Sequence, residues 1–118
     1  REGLMKQDAL QMSLLFDYYG ELLSRKQRVC FDLYYNQDLS LSEIAAELGV
    51  SRQGVHDLLS RAETALGEFE RVTGCIARDA RLNKALREIE AACTQLQTLP
   101  DARGAAQAIL RASAMIKE

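Results

Sequence analysis

A single proline, Pro100, interrupts 118 residues, and this scarcity limits the fold more than any other feature. Proline lacks a backbone N–H and clashes with the preceding helical turn, so a chain almost without it can run in long helices. The residues that fill the chain, Leu, Ala, Glu, Arg and Gln, have high helix propensity. β-Branched residues are few and no stretch alternates polar and apolar for long, so strand signals are missing. The fold class is therefore all-α. With 47% apolar and 27% charged residues, the chain has the balance of a globular domain and can bury a modest core.

Start and stop signals divide the chain into helices. The first is predicted from Asp8, as cap, to Leu23, with Leu14, Leu15, Tyr18 and Leu22 at helical spacing. Ser24 and Gln27 form a capping box for a second helix that runs through Val29 and Leu33 to Tyr35 and stops at Asn36-Gln37-Asp38. Ser40 and Glu43 repeat the device for a third, which carries Ile44, Ala45 and Leu48 and ends at Gly49. Ser51 opens a fourth that reaches Thr73, with Gly74 to end it. Its seam is Leu59, Ala62, Leu66, Phe69, Thr73 and Ile76. A second seam, Leu82, Leu86, Ile89, Cys93 and Leu96, is out of register with the first, which places a break near Gly74. After Pro100, Asp101 can cap a last Ala-rich helix that extends to Ile116. The domain organisation expected is a tail over 1–7, a helix-turn-helix domain over 8–74 and C-terminal helices over 75–118 that pack or dimerise. Arg1–Leu4 precede Met5 and are a cloning scar or follow an upstream start. The apolar stripes of the C-terminal half exceed what a head this small can cover, so a homodimer is expected.

Ser40 to Arg61, SLSEIAAELGVSRQGVHDLLSR, has the spacing of a helix-turn-helix. Two short helices crossing steeply need a small residue where they touch, here Ala45, and a turn residue free to take positive φ, here Gly49. Ile44, Leu48, Val50, Val55 and Leu58 are then expected to bury inward. Ser51, Arg52, Gln53, His56 and Asp57 remain on the leading face of the second helix, where a DNA reader places its base contacts. Arg25, Lys26, Arg28 and Arg61 are the candidate phosphate contacts. The cations of the first three stand at a helix start, where the helix dipole disfavours them, and this hints at an anionic ligand or partner.

The stretch from Leu23 to Leu66, LSRKQRVCFDLYYNQDLSLSEIAAELGVSRQGVHDLLSRAETAL, resembles region 4 of sigma-70-type factors, the module that reads promoter −35 elements. Leu15-Phe16-Asp17-Tyr18-Tyr19, Arg25-Lys26-Gln27-Arg28, Leu33-Tyr34-Tyr35 and Asp38-Leu39-Ser40-Leu41-Ser42-Glu43-Ile44-Ala45 together resemble the YlxM family more closely. These are small bacterial helix-turn-helix proteins whose gene usually neighbours that of the signal recognition particle GTPase. The resemblance covers Asp8 to Glu70. It implies a sigma-region-4-like bundle with a helical C-terminal extension and a dimeric state. It also implies a regulatory role in the signal recognition particle pathway, with the particle's GTPase or RNA as partners.

Charge weighs against a simple DNA reader. The whole chain carries a net charge of −2. Between Ser24 and Ala62, Arg25, Lys26, Arg28, Arg52 and Arg61 are matched by Asp32, Asp38, Glu43, Glu47 and Asp57. A neutral module gains little from phosphate neutralisation. Two classes of function therefore stay open: a DNA-binding regulator, and a protein- or RNA-interaction module that keeps the fold without reading DNA. His56 is either a base contact or a plain surface histidine, and Arg52 and Gln53 match the side-chain chemistry of guanine and adenine recognition. Gly54, costly within a helix, either permits close approach to a phosphate or is tolerated, and tolerance is the preferred reading.

The tyrosine pairs Tyr18-Tyr19 and Tyr34-Tyr35 read as core and rim packing, and Cys30 and Cys93 as small hydrophobes. The lone histidine and three scattered cysteines, Cys30, Cys75 and Cys93, give no metal-ligand spacing, and no catalytic motif occurs. The expectation is a non-enzymatic protein without metal or other cofactor. Runs such as Met12–Phe16 and Ala105–Leu110 are far shorter than the roughly 20 residues of a membrane span, and no signal-peptide pattern opens the chain. A cytoplasmic protein without membrane insertion is expected.

Overall fold

The computed structural model describes residues 5–117, so the origin of Arg1–Leu4 lies outside the described residues. Among these residues six α-helices form in order: α1 Met5–Tyr19, α2 Arg25–Phe31, α3 Leu41–Leu48, α4 Arg52–Thr73, α5 Cys75–Leu96 and α6 Arg103–Lys117. No strand occurs among the described residues, and the fold is all-α. The helices fall into two compact units that divide between Gly74 and Cys75.

In the first unit, α4 is the spine, about 33 Å long at the usual rise per residue, against which α1, α2 and α3 all pack. The reason is its stripe of Val55, Leu59, Ala62 and Leu66, spaced four, three and four residues apart and all buried. Val55 and Leu59 meet Cys30, Leu33 and Ile44 in one core, and Ala45 packs at its margin. Around it, Phe16 stacks on Phe31 at 4.7 Å between ring centroids, and Phe31 meets Tyr35 at 4.4 Å. Two tyrosines lock onto α4 by hydrogen bonds. Tyr19 Oη donates to Glu70 Oε1 at 2.5 Å and lies 2.6 Å from Thr73 Oγ1, and Tyr35 donates to Glu63.

Several boundaries differ from those expected of the sequence. Helix α1 begins by Met5, so Asp8 lies inside it rather than capping it. At its other end it tightens into a 3₁₀ turn, Gly20–Leu22, because glycine supports a regular helix poorly and a terminal turn closes readily with i→i+3 bonds. The second helix does not continue regularly to Tyr35. It widens into a π-helical turn, Asp32–Asn36, which adds a residue to the turn and shifts the register of the residues beyond it. That turn buries Leu33 in the core, and the Asp32 carboxylate accepts from Asn36 Nδ2 at 2.7 Å and Gln37 Nε2 at 2.9 Å. Asp38 then takes a left-handed conformation, φ 61°. Along the α4 seam, burial stops at Leu66. Phe69 is half-buried, Thr73 is exposed, and Ile76 belongs to α5.

The second unit is α5 packed on α6 through a turn that contains Pro100. Leu86 and Cys93 of α5 and Ala106 and Ser113 of α6 are buried, each pair seven residues apart. Lys117 Nζ lies 2.6 Å from Glu90 Oε1. Only part of the predicted α5 seam is covered. Leu82, Ile89 and Leu96 are exposed, because α6 occupies one flank of the stripe. Asp101 remains in the turn and α6 starts two residues later, so Asp101 is not its cap.

Candidate nucleic-acid interface

The helix-turn-helix is built by local chemistry at each end of α3 and at the start of α4. Ser40 Oγ accepts from the Glu43 N–H at 3.1 Å, and the Ser40 N–H donates to Glu43 Oε1 at 2.9 Å. That backbone donor, with the Ser40 side chain as a lesser cause, holds the Glu43 carboxyl below the usual glutamate range. The turn closes on Gly49 at φ 67°, a left-handed conformation that glycine adopts without penalty, and the Val50 N–H donates to Ala45 O at 3.1 Å. Ser51 then caps α4, its Oγ accepting from the Gly54 N–H at 2.9 Å. An alanine Cβ at Gly54 would stand 3.2 Å from that Oγ and 3.7 Å from Val50 Cβ. The bare backbone therefore makes room for the cap hydroxyl, a role that the sequence alone did not suggest.

Ser51, Arg52, Gln53, His56 and Asp57 are all exposed, while Val55 and Leu59 hold the opposite edge of the same turns in the core. They are not five independent groups. Ser51 is engaged as the cap, and Gln53 Nε2 donates to Asp57 Oδ1 at 3.1 Å. His56 Nδ1 lies 3.9 Å from the same carboxylate oxygen. Gln53, His56 and Asp57 thus form one cluster around an anion, with Arg52 one turn before His56.

The candidate phosphate contacts line three depressions, two of which share Val29. Arg25 and Lys26 are exposed at the start of α2 and line a groove with Val29, Leu48, Val50 and Leu58. Arg28 is half-buried and lines a different depression, with Phe16, Asp32 and Gln37. Arg61 is exposed on α4, one turn beyond Asp57, beside Thr64, Ala65 and Glu68.

Of the residues expected to bury inward, Ile44 and Val55 are fully buried, but Leu48 and Leu58 are half-buried and Val50 is 40% exposed. Periodicity gives the apolar side of a helix and not its depth. Leu58 lies about 100° around α4 from Leu59, so Leu59 takes the core and Leu58 its rim. Among the described residues no three His, Cys, Asp or Glu side chains gather as a metal site, and no helix is long and apolar enough to cross a membrane.

Comparison with known proteins gives this fold a family. A family model described as "Putative helix-turn-helix protein, YlxM / p13 like" matches residues 6–102. A UPF0122 protein of Thermoanaerobacter sp. strain X514 is 46% identical over 86 residues, covering 73% of this chain and 74% of the relative. One from Symbiobacterium thermophilum is 45% identical over 72% of this chain and 79% of its own length. One from Listeria welshimeri is 40% identical over 77% and 83% respectively. The two capped helices, the Gly49 turn and these likenesses lead to one assignment: the chain belongs to the UPF0122 family of YlxM/p13-like helix-turn-helix proteins.

Proposed function

We propose that the protein is a non-enzymatic regulator that binds duplex DNA through α3, the Gly49 turn and α4. The observation that carries this reading is the exposure of Arg52, Gln53, His56 and Asp57 on one edge of a capped helix whose other edge is anchored by Val55 and Leu59. In this pose Ser51, Arg52, Gln53, His56 and Asp57 face the major groove, and Arg25, Lys26, Arg28 and Arg61 supply phosphate contacts. Arg52 offers a planar fork to guanine. Gln53 can serve adenine once its amide leaves Asp57, an exchange that costs about 1 kcal/mol, the net worth of an ordinary hydrogen bond. Asp57 opposes binding twice, by repelling phosphate and by holding Gln53.

Selection from randomised duplexes, followed by titration at several salt concentrations, tests this reading. Asp57→Asn is expected to tighten binding, Arg52→Ala to change sequence preference, and Lys26→Glu to weaken all sequences alike. An affinity insensitive to salt, or a preference unchanged in Arg52→Ala, overturns it.

A second reading, a protein- or RNA-interaction module, is favoured by the Gln53–Asp57 bond, which occupies the reading face with its own partner. The resemblance to YlxM proteins supplies candidates, the GTPase or RNA of the signal recognition particle in the cytoplasm. Crosslinking in native cells separates the two: recovery of discrete duplex sites supports the first, and recovery of the particle's components without DNA supports the second. We also propose a homodimer, because Leu82, Ile89 and Leu96 leave an apolar line at seven-residue spacing on α5. Ile89→Glu is expected to reduce the sedimenting mass to that of one chain, and an unchanged mass sinks the dimer.

A further inference from the structure

The groove beside the helix-turn-helix has a lining unlike that of the reading face. Val29 of α2, Leu48 and Val50 at the Gly49 turn and Leu58 of α4 line an open volume of about 390 Å³, bordered by Arg25 and Lys26. Val29 and Val50, which line the same groove, are 37% and 40% exposed, so its apolar floor is open to water. Among the described residues no carboxylate lines this groove, and neither border cation has an ion-pair partner. A carboxylate placed here gives the two cations a partner, and apolar side chains placed below it remove Val29 and Val50 from water.

We propose that this groove docks an acidic amphipathic helix of a partner protein, with leucine-like side chains on the Val29–Leu48–Val50–Leu58 floor and Glu or Asp beside Arg25 and Lys26. Duplex DNA fits less well, because it brings phosphates but no apolar group at the depth of the floor. In a second copy of this chain, α6 carries Arg103, Arg111 and Lys117 and no acidic residue, and α5 carries four basic residues against three acidic, so both have the wrong sign. Helix α1, with Leu10 and Leu14 exposed and Asp17 on the same helix, is the segment of a second copy that the concentration series below tests. With no strand edge to extend, a cleft between helices is filled by an amphipathic helix anchored at i, i+3 or i+4, and i+7. The proposal holds whether or not Arg25 and Lys26 also touch phosphate, so failure to bind DNA leaves it intact.

The test uses the full chain and a labelled synthetic helix of about 20 residues with Leu at those anchor positions and Glu flanking them. One matched peptide carries Lys for Glu, and another Ser for Leu. Fluorescence anisotropy is expected to show binding of the Glu/Leu peptide alone. Amide shifts should centre on Val29, Leu48, Val50 and Leu58. Val50→Asp and the double variant Arg25→Glu/Lys26→Glu are each expected to weaken binding by about tenfold or more. All three substituted side chains are exposed, and far-ultraviolet circular dichroism verifies that each variant is folded. Absence of binding, equal binding of the Lys peptide, or an affinity unchanged in Val50→Asp overturns the proposal. Shifts of the same amides on raising the concentration of the chain alone would give the groove to a second copy, and nuclear Overhauser contacts from the Leu48 and Leu58 methyls to added duplex would give its floor to DNA. Either result overturns it.

Discussion

Replacing Gly54 with alanine sets two local effects of similar size against each other. Gly54 is the third residue of α4, and alanine in a helix is favoured over glycine by about 1 kcal/mol. The new Cβ would lie 3.2 Å from Ser51 Oγ, the atom that accepts the Gly54 N–H at 2.9 Å. To make room the hydroxyl must shift and weaken a cap worth about 1 kcal/mol. In the native background the two effects should cancel to within about 0.5 kcal/mol. With Ser51→Ala the hydroxyl is gone, and Gly54→Ala should then recover the full helical gain of about 1 kcal/mol. The double-mutant cycle is thus expected to close with a coupling of about +1 kcal/mol. Urea unfolding followed by tyrosine fluorescence is the appropriate assay. All four tyrosines, Tyr18, Tyr19, Tyr34 and Tyr35, lie in the first unit and there is no tryptophan, so the signal reports the unit that holds the cap. If Gly54→Ala stabilises equally in both backgrounds, with coupling below about 0.3 kcal/mol, the crowding argument fails. A variant of unchanged stability that has lost DNA affinity would instead point to a backbone approached closely by phosphate.

Ile44 is fully buried at the centre of the core, so Ile44→Ala should cost about 2–5 kcal/mol in the same urea assay, whereas Val50→Ala at the open groove should cost less than about 1 kcal/mol. The Glu43 carboxyl is held low chiefly by the Ser40 N–H, so its contribution is fully present above the ordinary glutamate range and is lost as pH falls through the lowered native value. Glu43→Gln, which keeps an acceptor but no titrating group, should therefore flatten the acid limb of the stability profile, and an unchanged limb removes Glu43 from it. Cys30 and Cys93 are buried, and burial pushes the Cys30 thiol up, while Cys75 is half-buried. A chromogenic disulfide reagent should titrate Cys75 first in the folded protein and reach Cys30 only on unfolding.

Legibility in the sequence tracks the range of the physics involved. The Ser24–Gln27 and Ser40–Glu43 boxes, the Ser51 cap and the glycines at 49 and 74 act within three or four residues, and each occurs in the structure at the position read from sequence. The π-helical turn at Asp32–Asn36 could not be read in this way. Its stabilisation comes in part from Tyr35 reaching Glu63, 28 residues away, and from Leu33 joining Ile44 and Val55. A local window sees the helical spacing of Val29 and Leu33 there and extends a regular helix to Tyr35. The same distinction explains the apolar stripes. Leu82, Leu86, Ile89, Cys93 and Leu96 have one periodicity, yet coverage depends on where α6 lies, and that leaves Leu82, Ile89 and Leu96 open. In the helix-turn-helix, Leu48 and Leu58 share the apolar sides of α3 and α4 with Ile44 and Val55 but sit at their edge, and Val50 lies in the turn between the two helices. Their shortfall in burial is what opens the groove beside Arg25 and Lys26. The reading face shows the converse. Exposure of Arg52, Gln53, His56 and Asp57 is set by local helical phase and was legible, but the bond from Gln53 to Asp57 is a choice of rotamer that spacing permits without requiring. That bond decides how much of the face is available to a base edge, so the most informative single substitution on this surface is the acidic one, Asp57, rather than either candidate reader.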